Sequence, residues 1–166
     1  MVDNQHLVDE IRGQFGEKVY QFEDHFGLLN FTTAPESLVE IVEFLKNQSA
    51  LKFNFLTDVT GIHFPDNEGA EFCSTYLLHS WENRIRVRIK VFLPKDKPEV
   101  PTLIPVFKGA NWMEREAFDF FGIIYTGHPN LKRILNMEDM DYHPMRKEYA
   151  LEDPTRRDKI DDLFGR

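Results

Sequence analysis

Cysteine is nearly missing from this chain: Cys73 is the only one in 166 residues. A lone thiol makes no intrachain disulfide and cannot supply the cysteine set of an iron–sulfur cluster. A reducing compartment is therefore expected. Cys73, among Phe72, Thr75 and Tyr76, reads as a small buried hydrophobe on a strand. Long apolar runs are missing too, and nothing approaches the roughly 18 residues of a membrane span. The opening MVDNQHLVDE has no basic start and no apolar stretch, so neither a secretory signal nor a transit peptide is expected. Positive charge is short: 20 Lys and Arg stand against 28 Asp and Glu, a net charge of −8. That argues against general nucleic-acid binding. There is no G-x-G-x-x-G, P-loop, H-E-x-x-H or G-x-S-x-G. The six histidines, His6, His25, His63, His79, His128 and His143, show no metal-ligand spacing on one helix.

What is present suits one domain with a real core. Hydrophobic residues make up 42% and charged residues 29%, ordinary for a globular chain of this length. Leu7, Ile11 and Phe15 share one face of a short helix that Gly16 ends. Val19–Phe22 and Gly27–Thr32 read as a hairpin around Asp24-His25. Pro35 opens a helix through about Gln48, with Leu38, Ile41, Val42 and Leu45 as its core stripe. Three strands follow, at Phe53–Phe64, Glu71–Ser80 and Arg84–Leu93. In the last, Ile85, Val87, Ile89 and Val91 alternate with Arg84, Arg86, Arg88 and Lys90. One sheet face is thus apolar and the other basic. The basic face is either a solvated exterior or a docking face, for an acidic partner or for the chain's own acidic helix. Pro94, Pro98, Pro101 and Pro105 limit regular structure to an extended crossing. A helix from about Ala110 to Phe121 follows, ended by Gly122. Beyond Leu135 only loops and one extended segment are expected. The fold class is α+β: a single domain over 1–150, mostly antiparallel sheet with helices packed on it. A charged C-terminal tail, 151–166, is expected to be mobile or laid on a neighbour, with Leu163 and Phe164 as possible anchors.

The densest information lies in EREAFDFFGIIYTGHPNLKRIL, Glu114 to Leu135. Glu114, Arg115, Glu116 and Asp119 fall among Trp112, Met113, Phe118, Phe120 and Phe121, which leaves little purely polar face. Some of these charges must meet apolar surface, where an ion needs a partner. Glu116 and Asp119 share a helix face, spacing that suits a general base or metal ligand. Arg115 and Asp119 are equally spaced for an i,i+4 ion pair, which favours a structural or interface role. His128 sits in a Gly-His-Pro turn beside Lys132 and Arg133, cations that discourage a metal; a hydrogen-bonding turn residue is the simpler reading. No catalytic, cofactor-binding or metal-binding residue is assigned.

The same stretch resembles the signature of the 30 kDa subunit family, the C-subunits of the proton-pumping NADH:quinone oxidoreductase, respiratory complex I. The positions that carry the resemblance are Glu114, Arg115, Glu116, Asp119, Phe120, Phe121, His128, Lys132, Ile134 and Leu135. The strand Ile89–Pro94 with Pro101-Thr102, and the run Pro144-Met145-Arg146-Lys147-Glu148-Tyr149, resemble the family's flanks. The resemblance makes Glu114, Arg115, Glu116, Asp119, Phe120, Phe121, His128, Lys132, Arg133, Arg146 and Lys147 candidate interface or structural residues. It implies a cofactor-free subunit of the peripheral arm, supporting electron transfer from NADH to quinone. FMN and iron–sulfur clusters would lie in partner subunits. The partners it implies are other complex I subunits, chiefly the quinone-site D-subunit and the iron–sulfur B- and I-subunits. The chain would meet the membrane only through the complex, at the cytoplasmic side of a bacterial inner membrane. The alternatives are the equivalent subunit of a membrane-bound hydrogenase or plastid-type oxidoreductase, and a stand-alone enzyme using Glu116, Asp119 or His128.

Overall fold

The computed structural model describes residues 3–149. The segment 151–166, with Leu163 and Phe164, lies outside the described residues. Helix α1, Asn4–Phe15, starts where the Asp3 side chain accepts the His6 N–H at 2.8 Å, satisfying one of the free donors of a helix start. It buries Leu7, Ile11 and Phe15 and stops at Gly16, as the spacing predicts. Strands β1, Val19–His25, and β2, Leu28–Thr33, form the first hairpin. Its turn is Phe26-Gly27, beyond the expected Asp24-His25. The Asp24 carboxylate accepts the Gly27 N–H at 2.8 Å and closes the turn two positions later. Pro35 opens only a short 3-10 turn to Ser37. Helix α2 is Leu38–Asn47 and buries the expected stripe.

Strands β3, Phe55–His63, β4, Phe72–Ser80, and β5, Ile85–Leu93, complete a five-stranded sheet in the order β1-β2-β5-β4-β3. Every neighbouring pair in it is antiparallel except β2 with β5. The sheet is thus mostly antiparallel, as expected, but β5 inserts between the first hairpin and β4. The proline-rich crossing is more regular than expected. Strand β6, Glu99–Pro101, pairs in parallel with β7, Ile124–Thr126. The prolines are tolerated because other amides make the bonds: Ile124 N–H to Pro98 O at 2.8 Å and Thr102 N–H to Thr126 O at 3.0 Å. Helix α3 is Ala110–Phe121, stopped by Gly122 in the left-handed region at φ 76°.

The inward sheet face carries Phe31, Phe72, Tyr76, Val87, Ile89 and Val91, all fully buried. They join the buried stripes of the helices in a single core cluster. Gly61 of β3 lets α3 come close: a Cβ there would meet the Phe121 ring at 2.5 Å. Cys73 is buried on β4, in keeping with its reading as a small hydrophobe. No helix among the described residues is long and apolar enough to cross a membrane.

Candidate functional site

The register of α3 places Glu114, Ala117 and Phe121 inward, with Asp119 also out of solvent. Both carboxylates, Glu114 and Asp119, are fully buried, yet they are satisfied in opposite ways. Glu114 has no cation beside it among the described residues. Its Oε2 accepts the Thr102 hydroxyl at 2.5 Å and its Oε1 accepts the Leu103 N–H at 2.7 Å. Burial pushes this carboxyl up to about 7, and the two hydrogen bonds pull it back only in part. Glu114 therefore bolts α3 to the proline-rich crossing and is neutral for part of the time near pH 7.

Asp119 is surrounded by donors. Its Oδ2 accepts the N–H groups of Ile134 at 3.0 Å and of Leu135 and Asn136 at 2.9 Å. Its Oδ1 accepts Arg133 Nη1 at 2.7 Å and Asn136 Nδ2 at 3.1 Å. Burial acts to raise this carboxyl. The Asn136 and Leu135 amides, the Arg133 guanidinium and the Asn136 side chain outweigh it and hold the group well below the usual carboxylate range. Arg133 Nη2 also donates to the carbonyls of Met140 and Tyr142 at 2.8 and 2.7 Å. Asp119 thereby winds the loop after β7 around the end of α3.

The expected ion pair between Arg115 and Asp119 does not form. Arg115 turns outward and donates to the carbonyls of Lys132 at 3.1 Å and Arg133 at 3.0 Å. The loop offers Asp119 five donors at once, more than one guanidinium four residues away can match. Glu116 and Asp119 do not converge either. Glu116 is exposed and makes no hydrogen bond or ion pair among the described residues.

The remaining signature residues serve the same junction. Phe121 packs against Gly61, and the Phe120 carbonyl accepts the Met145 N–H at 3.1 Å. The His128 ring is used at both nitrogens: Nδ1 accepts the Asn130 N–H at 3.0 Å, which leaves Nε2–H to donate to the Asn111 carbonyl at 3.1 Å. It is a hydrogen-bonding turn residue, in line with the simpler reading. Lys132 is exposed, 3.8 Å from Glu138. Arg146 Nε donates to the Phe121 carbonyl at 2.8 Å while its guanidinium lies over the Phe72 ring. Lys147 acts through its backbone, donating to His63 Nδ1 at 2.9 Å.

Sequence reasoning misses Asn136, His143 and His63 at this junction. His143 lies against the Asp119 carbonyl at 2.9 Å, and no local spacing signals that contact. Thr102 is in view from sequence only as part of Pro101-Thr102. Among the described residues no group of His, Cys, Asp and Glu side chains is arranged to hold a metal ion. What the junction does present is surface. Trp112 on α3 and Leu135, Met137 and Met145 on the segment after β7 are exposed by 62%, 65%, 69% and 53%, large apolar side chains that nothing among the described residues covers.

The model of the family described as respiratory-chain NADH dehydrogenase, 30 kDa subunit, matches residues 31–155. A C-subunit of NADH-quinone oxidoreductase from Rhizobium etli, the second of its kind there, is 43% identical over 142 residues, 85% of this chain and 74% of that protein. The C-subunit of NADH-quinone oxidoreductase from a Nocardioides strain is 39% identical over 127 residues, 76% of this chain. That match spans only 51% of the Nocardioides protein. Among solved structures, the trypsin-resistant fragment of Nqo5 superposes with a TM-score of 0.64 at 31% identity, covering 76% of this chain and 98% of the fragment.

Proposed function

Because this chain belongs to the 30 kDa subunit family of the respiratory-chain NADH dehydrogenase, we propose that it is a non-catalytic structural and assembly subunit of a proton-translocating NADH:quinone oxidoreductase. The complex oxidises NADH and reduces quinone; this chain holds no cofactor and places its neighbours. FMN and the iron–sulfur clusters belong to partner subunits. The partners are the quinone-site D-subunit and the iron–sulfur B- and I-subunits. The chain reaches the membrane only through them, on the cytoplasmic side of a bacterial inner membrane.

The observation that carries this reading is the use to which the signature is put. Its buried acids accept their hydrogen bonds from inside the chain, Asp119 from the 133–136 loop and Glu114 from Thr102 and Leu103. Asp119, with five donors on its two oxygens, has no lone pair left to act as a base, and Glu114 is closed off from solvent inside the chain, so both position a surface. The rigid junction presents Trp112, Leu135 and Met137 outward, side chains of the kind that anchor protein interfaces. Quinone reduction depends on the placement of cluster and quinone, and a stiff neighbour keeps that placement.

The test is a pull-down of the tagged full chain from gently solubilised membranes, with mass spectrometry and an NADH:quinone assay on the eluate. Recovery with iron–sulfur and quinone-site subunits, with activity, is the expected result. Recovery with hydrogenase subunits would move the chain to the sister complex. A chain recovered alone would end the reading.

A further inference from the structure

The outward sheet face, opposite α3, holds a second surface. Strands β2 and β5 run parallel, Leu29 beside Val87, so the turns preceding them lie side by side. Between these turns and the outward residues of β4 and β5 runs an open groove of about 780 Å³. Phe26, His79, Trp81, Arg84, Arg86 and Arg88 line it. Among the described residues none of the three arginines has an ion-pair partner. Glu23, on β1, is engaged by Lys90 and His25 at 3.4 and 3.1 Å. Glu82 pairs with Lys52. Asp58 shares the face two strands from Arg88 and pairs with none of them. A chain of net charge −8 thus concentrates uncompensated cations in one groove. The same surroundings act on His79: burial first, then the Arg86 charge, lowers its ring from the usual histidine value.

Two further observations bear on this groove. Phe26 is fully exposed and Trp81 is 60% exposed, a costly display of aromatic surface on a monomer. Phe26 and Arg84 also adopt positive φ, 55° and 56°, as Gln21 and Lys52 do outside the groove; the two-residue turn at Phe26-Gly27 calls for that left-handed region, which glycine or asparagine fills more cheaply. The fold gains nothing from a solvent-facing phenylalanine there. The choice of an exposed phenylalanine at that turn position points to a use outside the fold.

We propose that this groove docks a carboxylate-bearing segment of a partner polypeptide, with Trp81 and Phe26 as aromatic anchors and Arg84, Arg86 and Arg88 as the charge complement. Aromatic and arginine side chains are the types that dominate interface energetics. The chain's own acidic helix is excluded as occupant, since α3 packs on the inward face. The surface is separate from the signature junction, so it gives the subunit a second, opposite attachment point.

The experiment replaces Trp81 with the photo-crosslinking residue benzoylphenylalanine in the tagged full chain, expressed in cells that make the intact assembly. Solubilised assemblies are illuminated, and the adduct is located by mass spectrometry. The expected adduct is with a polypeptide segment whose carboxylates outnumber its cations. R86E together with R88E is expected to cut its yield about tenfold or more, with the thermal midpoint of the isolated full chain unchanged. Should the reversal variant fail to fold, R86Q with R88Q takes its place, with a smaller loss expected. An adduct with lipid, an adduct with a segment lacking acidic excess, or a yield indifferent to the arginine changes would overturn the proposal. So would the absence of any adduct in a chain that still co-purifies with its partners, which would leave the subunit assignment standing. A chain that co-purifies with nothing would end both.

Discussion

Asp119 and Arg133, fourteen positions apart, meet at 2.7 Å with the carboxylate fully out of solvent. The pair joins the last turn of α3 to the loop after β7, and three backbone amides of that loop close on the other carboxylate oxygen. A buried ion pair is an ambiguous stabiliser when compared with apolar residues, but breaking one strands its partner.

Asp119→Asn is therefore expected to cost about 3 kcal/mol at neutral pH. The native carboxyl is held below its usual 3.8. Its stabilisation is present above that value and is lost as pH falls through it toward the folded-state value. The penalty of the variant should shrink correspondingly below about pH 4. Urea unfolding of the full chain at neutral and acid pH checks both parts. A penalty under about 1 kcal/mol at pH 7 would mean the loop is held by something else.

Glu114 has the opposite sign. Its folded-state value of about 7 lies above the ordinary 4.5. Between those values the folded chain keeps a proton that the unfolded chain releases, so stability falls as pH rises through the window. Glu114→Gln keeps an acceptor for Leu103 and a group able to bond Thr102, and removes the titration. Relative to wild type, it should gain about 2 kcal/mol on going from about pH 5 to about pH 8. An equal difference at both pH values would refute the buried neutral carboxyl.

Arg115 and Glu116 are adjacent in sequence and separable in effect. Arg115→Ala frees the carbonyls of Lys132 and Arg133 and should cost about 1–2 kcal/mol in thermal or urea unfolding. Glu116 is exposed; reversing it to Lys should move the stability of the isolated chain by no more than about 0.5 kcal/mol. The same change should lower recovery of partner subunits in the pull-down. Wild-type recovery with Glu116→Lys would take this side of α3 out of the interface.

Gly61→Ala tests the close approach of α3 to β3. The added methyl carbon would sit 2.5 Å from the Phe121 ring, so ring and helix must shift, at about 2 kcal/mol. A thermal midpoint equal to wild type would show that the helix yields freely.

Much is legible in the residues alone because it is local. The 3.6-residue spacing of Leu7, Ile11 and Phe15, and the glycines at 16 and 122, set the bounds of α1 and α3. The alternation from Ile85 to Leu93 marks a strand with one apolar and one basic face, and the structure keeps it. The first hairpin turns later than its residues suggest. Asp24 and His25 look like turn residues, while the glycine that closes the turn comes two positions further on. The pairing of β6 with β7 is not legible because its two segments are short and separated by α3. Proline content says nothing about which amides remain free to pair.

The signature from Glu114 to Leu135 determined the family, since many fixed identities at fixed spacing leave few alternatives. It also required that some of those charges be buried, because helix α3 has no wholly polar side. Tertiary structure alone decided which charges, and who answers them. Spacing within a helix offered Arg115 to Asp119; the folded loop brought five donors instead, and left Glu114 with a hydroxyl and an amide but no cation among the described residues. It likewise decided that β5 lies between β2 and β4, which gathers three arginines and two exposed aromatic tips into one groove. The reason is common to all of these. Periodicity reports which side of an element faces inward, whereas the free energy of a buried charge depends on groups that the chain brings back from far along its length.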